Sequence, residues 1–320
     1  MDGAFPQPMK ALVAGLILLT ISGAALLWHF ASRHKAAPIA TGPERTARCM
    51  VWKVQRGKAT MWLCGSIHAL REEDYPLPEP YTKALTESAI LVTESPHDAA
   101  GAADRTAHAL AVGRLPDGEK LETKVSAATM EKVKEACETL GCRVGELQVM
   151  KPWQAGIYLA NYAMQQEGFR PSLGLESRLT STAGNRTLAS LETLEAQLGA
   201  IDSLDTATQE TMLARAAEEV KSAESHLKAQ TDAWREGDTR ALLARSEKEL
   251  ASLPAVKKAL LDDRHAAWLP QLEKYLDGTE TVMVLVGVRH LCGPDGLVEM
   301  LAAKGAAVTQ MEYRTTRVAP

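Results

Sequence analysis

Two stretches of the chain repeat one arrangement. Met61-Trp62-Leu63-Cys64 runs into Gly65-Ser66-Ile67-His68, and Val284-Leu285-Val286 runs into Gly287-Val288-Arg289-His290. Each is an apolar run, a glycine that permits a sharp turn, and a histidine three residues later. In open α/β sheets the crevice beyond the strand carboxyl ends is the usual ligand site. A third apolar run, Ala89 to Glu94 (AILVTE), ends on a carboxylate, with His97 and Asp98 close behind. If the three runs are neighbouring strands, His68, His290 and Glu94 offer two imidazoles and one carboxylate to a divalent metal or a substrate. A single G-x-x-H is usually a hydrogen-bonded structural histidine; its repetition at two separate apolar runs, with Glu94 at a third, is what carries the reading. His97, next to Pro96, reads equally well as a loop histidine. Glu176 either caps a helix start or projects into the same site. His108, His226 and Asp98 have no spacing argument and read as surface groups.

The elements that must position these residues alternate strands with helices. Residues 48–55 and 58–65 read as a hairpin around Arg56-Gly57, followed by a helix over 80–88 and the strand 89–94. Residues 104–167 have helical periodicity, broken near 113–118 and at Gly141. A short strand at 187–191 leads into a helix at 194–201, and 206–232 and 238–252 read as helices with solvated charged faces. A helix over 263–276, a strand over 281–286, a helix over 294–304 and a strand over 307–311 complete the chain. Non-alternating apolar strands separated by helices predict an α/β fold with a central, mixed, largely covered sheet, flanking helices and a long helical insertion.

The chain has 320 residues, of which 46% are apolar and 24% charged, which excludes a disordered chain. A mean hydropathy of −0.15 excludes a polytopic membrane protein, but not one spanning segment. Ala11 to Phe30 is an uncharged run of twenty residues, long enough to cross a bilayer. It reads as a transmembrane anchor over 11–31, with a cleavable signal peptide and a buried core helix as the other readings. Residues 1–10 form a short tail, 32–45 a linker with two prolines, 46–313 the folded domain and 314–320 a C-terminal tail. Residues 1–45 hold four basic and two acidic groups, so the other 275 carry a net −6 within the overall −4. This mildly acidic domain has no basic region suited to nucleic acid. Flanking charge, with Lys10 before the run and Arg33, Lys35 and Arg45 after it, mildly favours a cytoplasmic domain. Five cysteines bear on the compartment. A turn at Arg56-Gly57 sets Cys49 opposite Cys64, and Cys137 and Cys142 flank a helix end, so two disulfides or five free thiols are both open.

Several segments in order carry a resemblance: LCGSIHAL at 63–70, Glu94, GLES at 174–177, LASLETLEAQ at 188–197, DRHAAWLPQLEKYL at 263–276, VLVGVRHLCGPDGLVEML at 284–301 and KGAAVTQ at 304–310. Over 46–313 the chain resembles the TraB/GumN family, relatives of the Tiki metalloproteases. The resemblance implies a metal-dependent peptidase acting on peptides or proteins, with Mn²⁺ or Co²⁺, or else Zn²⁺, held by His68, His290 and Glu94. Glu94 is then third ligand or general base, Glu176 a second candidate base, and Arg264 a stabiliser of developing negative charge. Arg264, Glu176 and Gln197 acquire a site-lining or scaffolding role. The family's Arg-Asn pair stands here as Arg264-His265, and Cys292 follows the second histidine motif. The family is mostly extracytoplasmic, which implies a bacterial inner-membrane protein with its domain on the periplasmic side. The competing expectation is a non-catalytic envelope binding module or structural partner that uses the same crevice.

Overall fold

The computed structural model describes residues 41–97 and 101–318, and the apolar run over 11–31 and Asp98 lie outside them. Among the described residues no helix is long and apolar enough to cross a membrane. Six strands form one mixed sheet: β1 (Thr41–Arg56), β2 (Ala59–Ser66), β3 (Ile90–Thr93), β4 (Thr187–Ser190), β5 (Thr281–Gly287) and β6 (Ala307–Arg317). Their order across the sheet is β4-β3-β5-β2-β1-β6. The β4-β3-β5-β2 half is parallel, while β1 pairs antiparallel with both β2 and β6. Met61, Leu63, Leu91, Val92 and Met283 to Val286 are wholly inaccessible to solvent, which explains the uninterrupted apolar runs: these strands are covered on both faces.

The parallel half decides where the chemistry lies. β5 lies between β2 and β3, in a register that pairs Ser66 with Gly287 and Thr93 with Leu285. The three strands therefore end together, and the residues that follow them emerge side by side. Two helical segments separate β3 from β4 and β4 from β5. They have apolar clusters of their own, one around Leu121, Val133, Leu147 and Leu213 and another around Trp153, Met212 and Val256. The main core sits on the sheet, where Trp62, Trp234 and Trp268 are buried.

The mixed, covered sheet with flanking helices agrees with the sequence, and the helix Asp263–Leu276 has the expected bounds. Several details differ. Arg56 pairs with Ala59 and Val51 with Cys64, so the hairpin turns at Gly57-Lys58, one residue later than expected. Gly57 takes a positive φ there. The shift removes Cys49 from its place opposite Cys64, and all five cysteines are free thiols. Strand β1 begins at Thr41, inside the expected linker, and β6 runs to Arg317, inside the expected tail. The segment 206–252 is not simply a solvated face. It breaks into helices Thr206–Glu219, Ala223–Arg235 and Thr239–Leu250, and buries Glu219, Gln230, Arg235 and Glu249.

Candidate active site

The structure brings His68, Glu94 and His290 together at the ends of β2, β3 and β5. They surround the open space in front of Gly287. A β-carbon placed on that glycine would lie 3.2 Å from Glu94 Oε1, 3.4 Å from His68 Nε2 and 3.7 Å from His290 Cδ2. The backbone N–H of Gly287 donates to Glu94 Oε1 at 2.6 Å. A side chain on this residue would occupy the space on which the three residues converge.

Each imidazole is oriented from behind. His68 Nδ1 lies 2.6 Å from Glu176 Oε1, a close charge contact whose angle falls short of a good hydrogen bond. That contact is built by the Gly174 turn. Leu175 N–H donates to Ile67 O at 3.1 Å, and a β-carbon on Gly174 would lie 2.1 Å from the His68 carbonyl oxygen. Only glycine lets the two loops approach so closely. On the other side, His265 Nδ1 is 2.9 Å from the Asp295 carbonyl and His265 Nε2 is 2.9 Å from His290 Nδ1. A carbonyl can only accept, so His265 carries its proton on Nδ1, accepts at Nε2, and fixes the His290 proton on Nδ1. His290 Nε2 is thereby left as an acceptor facing the site. His265, which stands where the family has asparagine, orients His290 through its imidazole.

The Arg264 guanidinium joins the remaining charges. Its Nη2 donates to Glu94 Oε2 at 2.6 Å and to Glu192 Oε1 at 2.7 Å, while Nε reaches Glu192 Oε2 at 3.1 Å. Its Nη1 meets His290 Nε2 at 3.1 Å, and the group lies over the Trp268 ring at 4.4 Å. Arg264 projects from the first turn of its helix, just after a π turn over Lys258–Asp262, and Nη1 also donates to Leu260 O.

Burial opposes charge throughout the site, and the partners decide which forms survive. For Glu94, burial would raise the carboxyl, but the Arg264 guanidinium, then the charge on His68 and the Gly287 N–H, hold it well below the usual range. His68 is pushed down by burial, yet Glu176 and Glu94 outweigh that and raise it. Glu176 is lowered, because His68 outweighs its burial. His290 is driven far down by burial, with the opposing pull of Glu94 offset by the Arg264 guanidinium, so it stays neutral. In Glu192 burial prevails over Arg264 and raises the carboxyl.

These contacts separate the roles expected from sequence. Glu176 is buried and turned toward His68, whose Nδ1 it contacts. Glu94 has both oxygens engaged, Oε1 by the Gly287 N–H and Oε2 by Arg264, and is held ionised by them. Gln197 lies outside the cleft lining and accepts from Ser95 Oγ at 3.0 Å, a scaffolding role at the end of β3. The Cys292 thiol is buried, donates to Val288 O at 3.2 Å and is pushed up to about 12 by burial, so it does not supply a thiolate. Glu192 was not picked from sequence, although it lies just beyond β4 as the others lie beyond their strands.

A cleft enclosing about 640 Å³ of space open to solvent is lined by His68, Glu94, Arg264 and His290. The donor set fits a divalent metal by residue type: both imidazoles contact a partner through Nδ1, with Nε2 toward the site, and Glu94 lies beside them. It is not a closed cage as it stands, since Arg264 engages both Glu94 and His290. Among the described residues no group of three or more His, Cys, Asp or Glu side chains is arranged to hold a metal ion.

Residues 50–310 match the family model described as TraB/PrgY/gumN family. No curated protein and no solved structure gives a significant match.

Proposed function

The chain belongs to the TraB/PrgY/gumN family, and on that footing we propose that it is a metal-dependent hydrolase acting on peptide bonds. The carrying observation is the convergence of two Nδ1-anchored imidazoles and Glu94 on the space before Gly287. In this reading His68 Nε2, His290 Nε2 and Glu94 hold a divalent ion such as Mn²⁺, Co²⁺ or Zn²⁺. When bound, such an ion polarises a carbonyl and lowers the pKa of water. For these residues to hold an ion, the Arg264 contacts with Glu94 and His290 would have to give way. Glu192 makes that feasible by holding Arg264 through both carboxylate oxygens. Arg264 then remains beside the reacting carbonyl, where its N–H groups stabilise developing negative charge. Glu176 and His265 keep the imidazoles oriented, and Ile67, Leu260 and Val288 exclude water from one side of the cleft.

The uncharged run over 11–31 supports attachment to a bilayer, and the resemblance supports a domain on the periplasmic side of a bacterial inner membrane, with peptides or proteins of the envelope as substrates. A second reading, a binding module that needs no metal, is favoured by the hold of Arg264 on two of the three donors.

Incubation of the full chain with a peptide library, with added Mn²⁺ or with a chelator, separates the readings. Cleavage that the chelator abolishes is the expected result. Cleavage that survives chelation overturns the metal, and peptide binding without cleavage supports the module.

A further inference from the structure

The cleft has a second set of residues that the chemistry above leaves unused. Gln230, Leu250, Leu260, Leu261 and Arg289 line it together with the residues already described. Gln230, in the helix Ala223–Arg235, is only 6% exposed, and its side-chain amide, which lines the cleft, makes no hydrogen bond among the described residues. The amide is therefore open to a group bound in the cleft, in a setting dry enough to strengthen the hydrogen bond. Arg289 engages Glu249 through Nη2 alone, and its Nε and Nη1 have no partner among the described residues. Glu249 is also ion-paired with Arg245 Nε at 2.8 Å, so its carboxylate is shared between two guanidinium groups, and the nearby Glu219 carboxyl, pushed up to about 8 mainly by burial, adds little charge. The cleft therefore holds unspent N–H donors and a positive charge incompletely matched by its own carboxylate. Beside them, Leu250, Leu260 and Leu261 supply an apolar wall.

A planar anion with an apolar neighbour meets all three features. We propose that Arg289 and Gln230 bind the free α-carboxylate of a peptide whose terminal side chain rests on Leu250, Leu260 and Leu261. This makes the chain selective for peptide C-termini. Only the turnover arm of its test rests on the hydrolase reading.

The probe is a dansyl-labelled peptide ending in leucine, prepared as the free acid and as the carboxamide. Its binding to the full chain is measured by fluorescence anisotropy, and its cleavage is measured separately. The free acid should bind at least about tenfold more tightly, since the amide removes the charge that Arg289 would meet. Arg289→Gln and Gln230→Leu should each bring the acid-to-amide ratio toward one by weakening the acid while affinity for the amide is retained, a pattern that general loss of structure does not produce. Equal binding of acid and amide by the unaltered chain overturns the proposal without any variant. A preference that persists in both variants overturns it equally. Acid-selective binding with no cleavage upholds the subsite and rejects the hydrolase; cleavage without selectivity does the reverse.

Discussion

Arg264 is the residue on which the charges of the site depend. It pairs with Glu94 and Glu192, contacts His290 Nε2 and stacks on Trp268, all in a buried setting. Removing one partner of a buried pair leaves the other charge uncompensated. Arg264→Gln keeps much of the size but strands two carboxylates, and should destabilise the fold by about 3–5 kcal/mol in urea unfolding. A change below about 1 kcal/mol would show that the pairs are far more solvated than their geometry indicates. His68, Glu94 and His290 were legible in sequence because each follows an apolar run that can only be a covered strand. Glu192 was not, because the short β4 gives a weak signal and the following turn reads as a helix start. The roles of Glu176 and His265 depend on loop-to-loop contacts that no local spacing encodes.

At the scale of elements, the site is a consequence of β5 lying between β2 and β3 in parallel register. Gly287 ends β5 with φ −53° and ψ 138°, a conformation open to alanine. The obstacle to a side chain there is the 3.2 Å approach to Glu94 Oε1 and the 3.4 Å approach to His68 Nε2. Gly287→Ala should therefore remain folded, within about 1 kcal/mol of the original stability, while metal affinity falls at least about tenfold. Isothermal titration with Mn²⁺ alongside thermal unfolding separates the two effects, and unchanged affinity would refute the assigned space. Strand and helix bounds were largely legible because apolar runs and Pro or Gly punctuation are local signals. The hairpin register was not: Arg56-Gly57 and Gly57-Lys58 are equally good turns locally, and the packing of β1 between β2 and β6 decides. For the same reason, the buried faces of the helices over 206–250 were hidden behind a charged composition.

Across the whole molecule, the net −6 outside residues 1–45 includes carboxylates that the fold does not hold ionised. Glu219 is buried between helices with neither oxygen hydrogen-bonded, and burial, then Glu249, push its carboxyl up to about 8 against Arg245 and Arg215. A folded-state value above the ordinary 4.5 means that the folded chain binds the proton more tightly. The group thus imposes no penalty at pH below about 4.5, a growing one up to about 8, and a constant one above. Glu219→Gln should raise the melting temperature near pH 9 and leave it almost unchanged near pH 4; an equal gain at both would contradict the buried carboxyl. The central claim, that His68, Glu94 and His290 form one metal site, is tested most directly by the metal content of the purified full chain. The expected result is about one divalent transition-metal ion per chain, lost in both His68→Ala and His290→Ala. Metal content unchanged in the two variants, or no metal binding by the original chain, would contradict it.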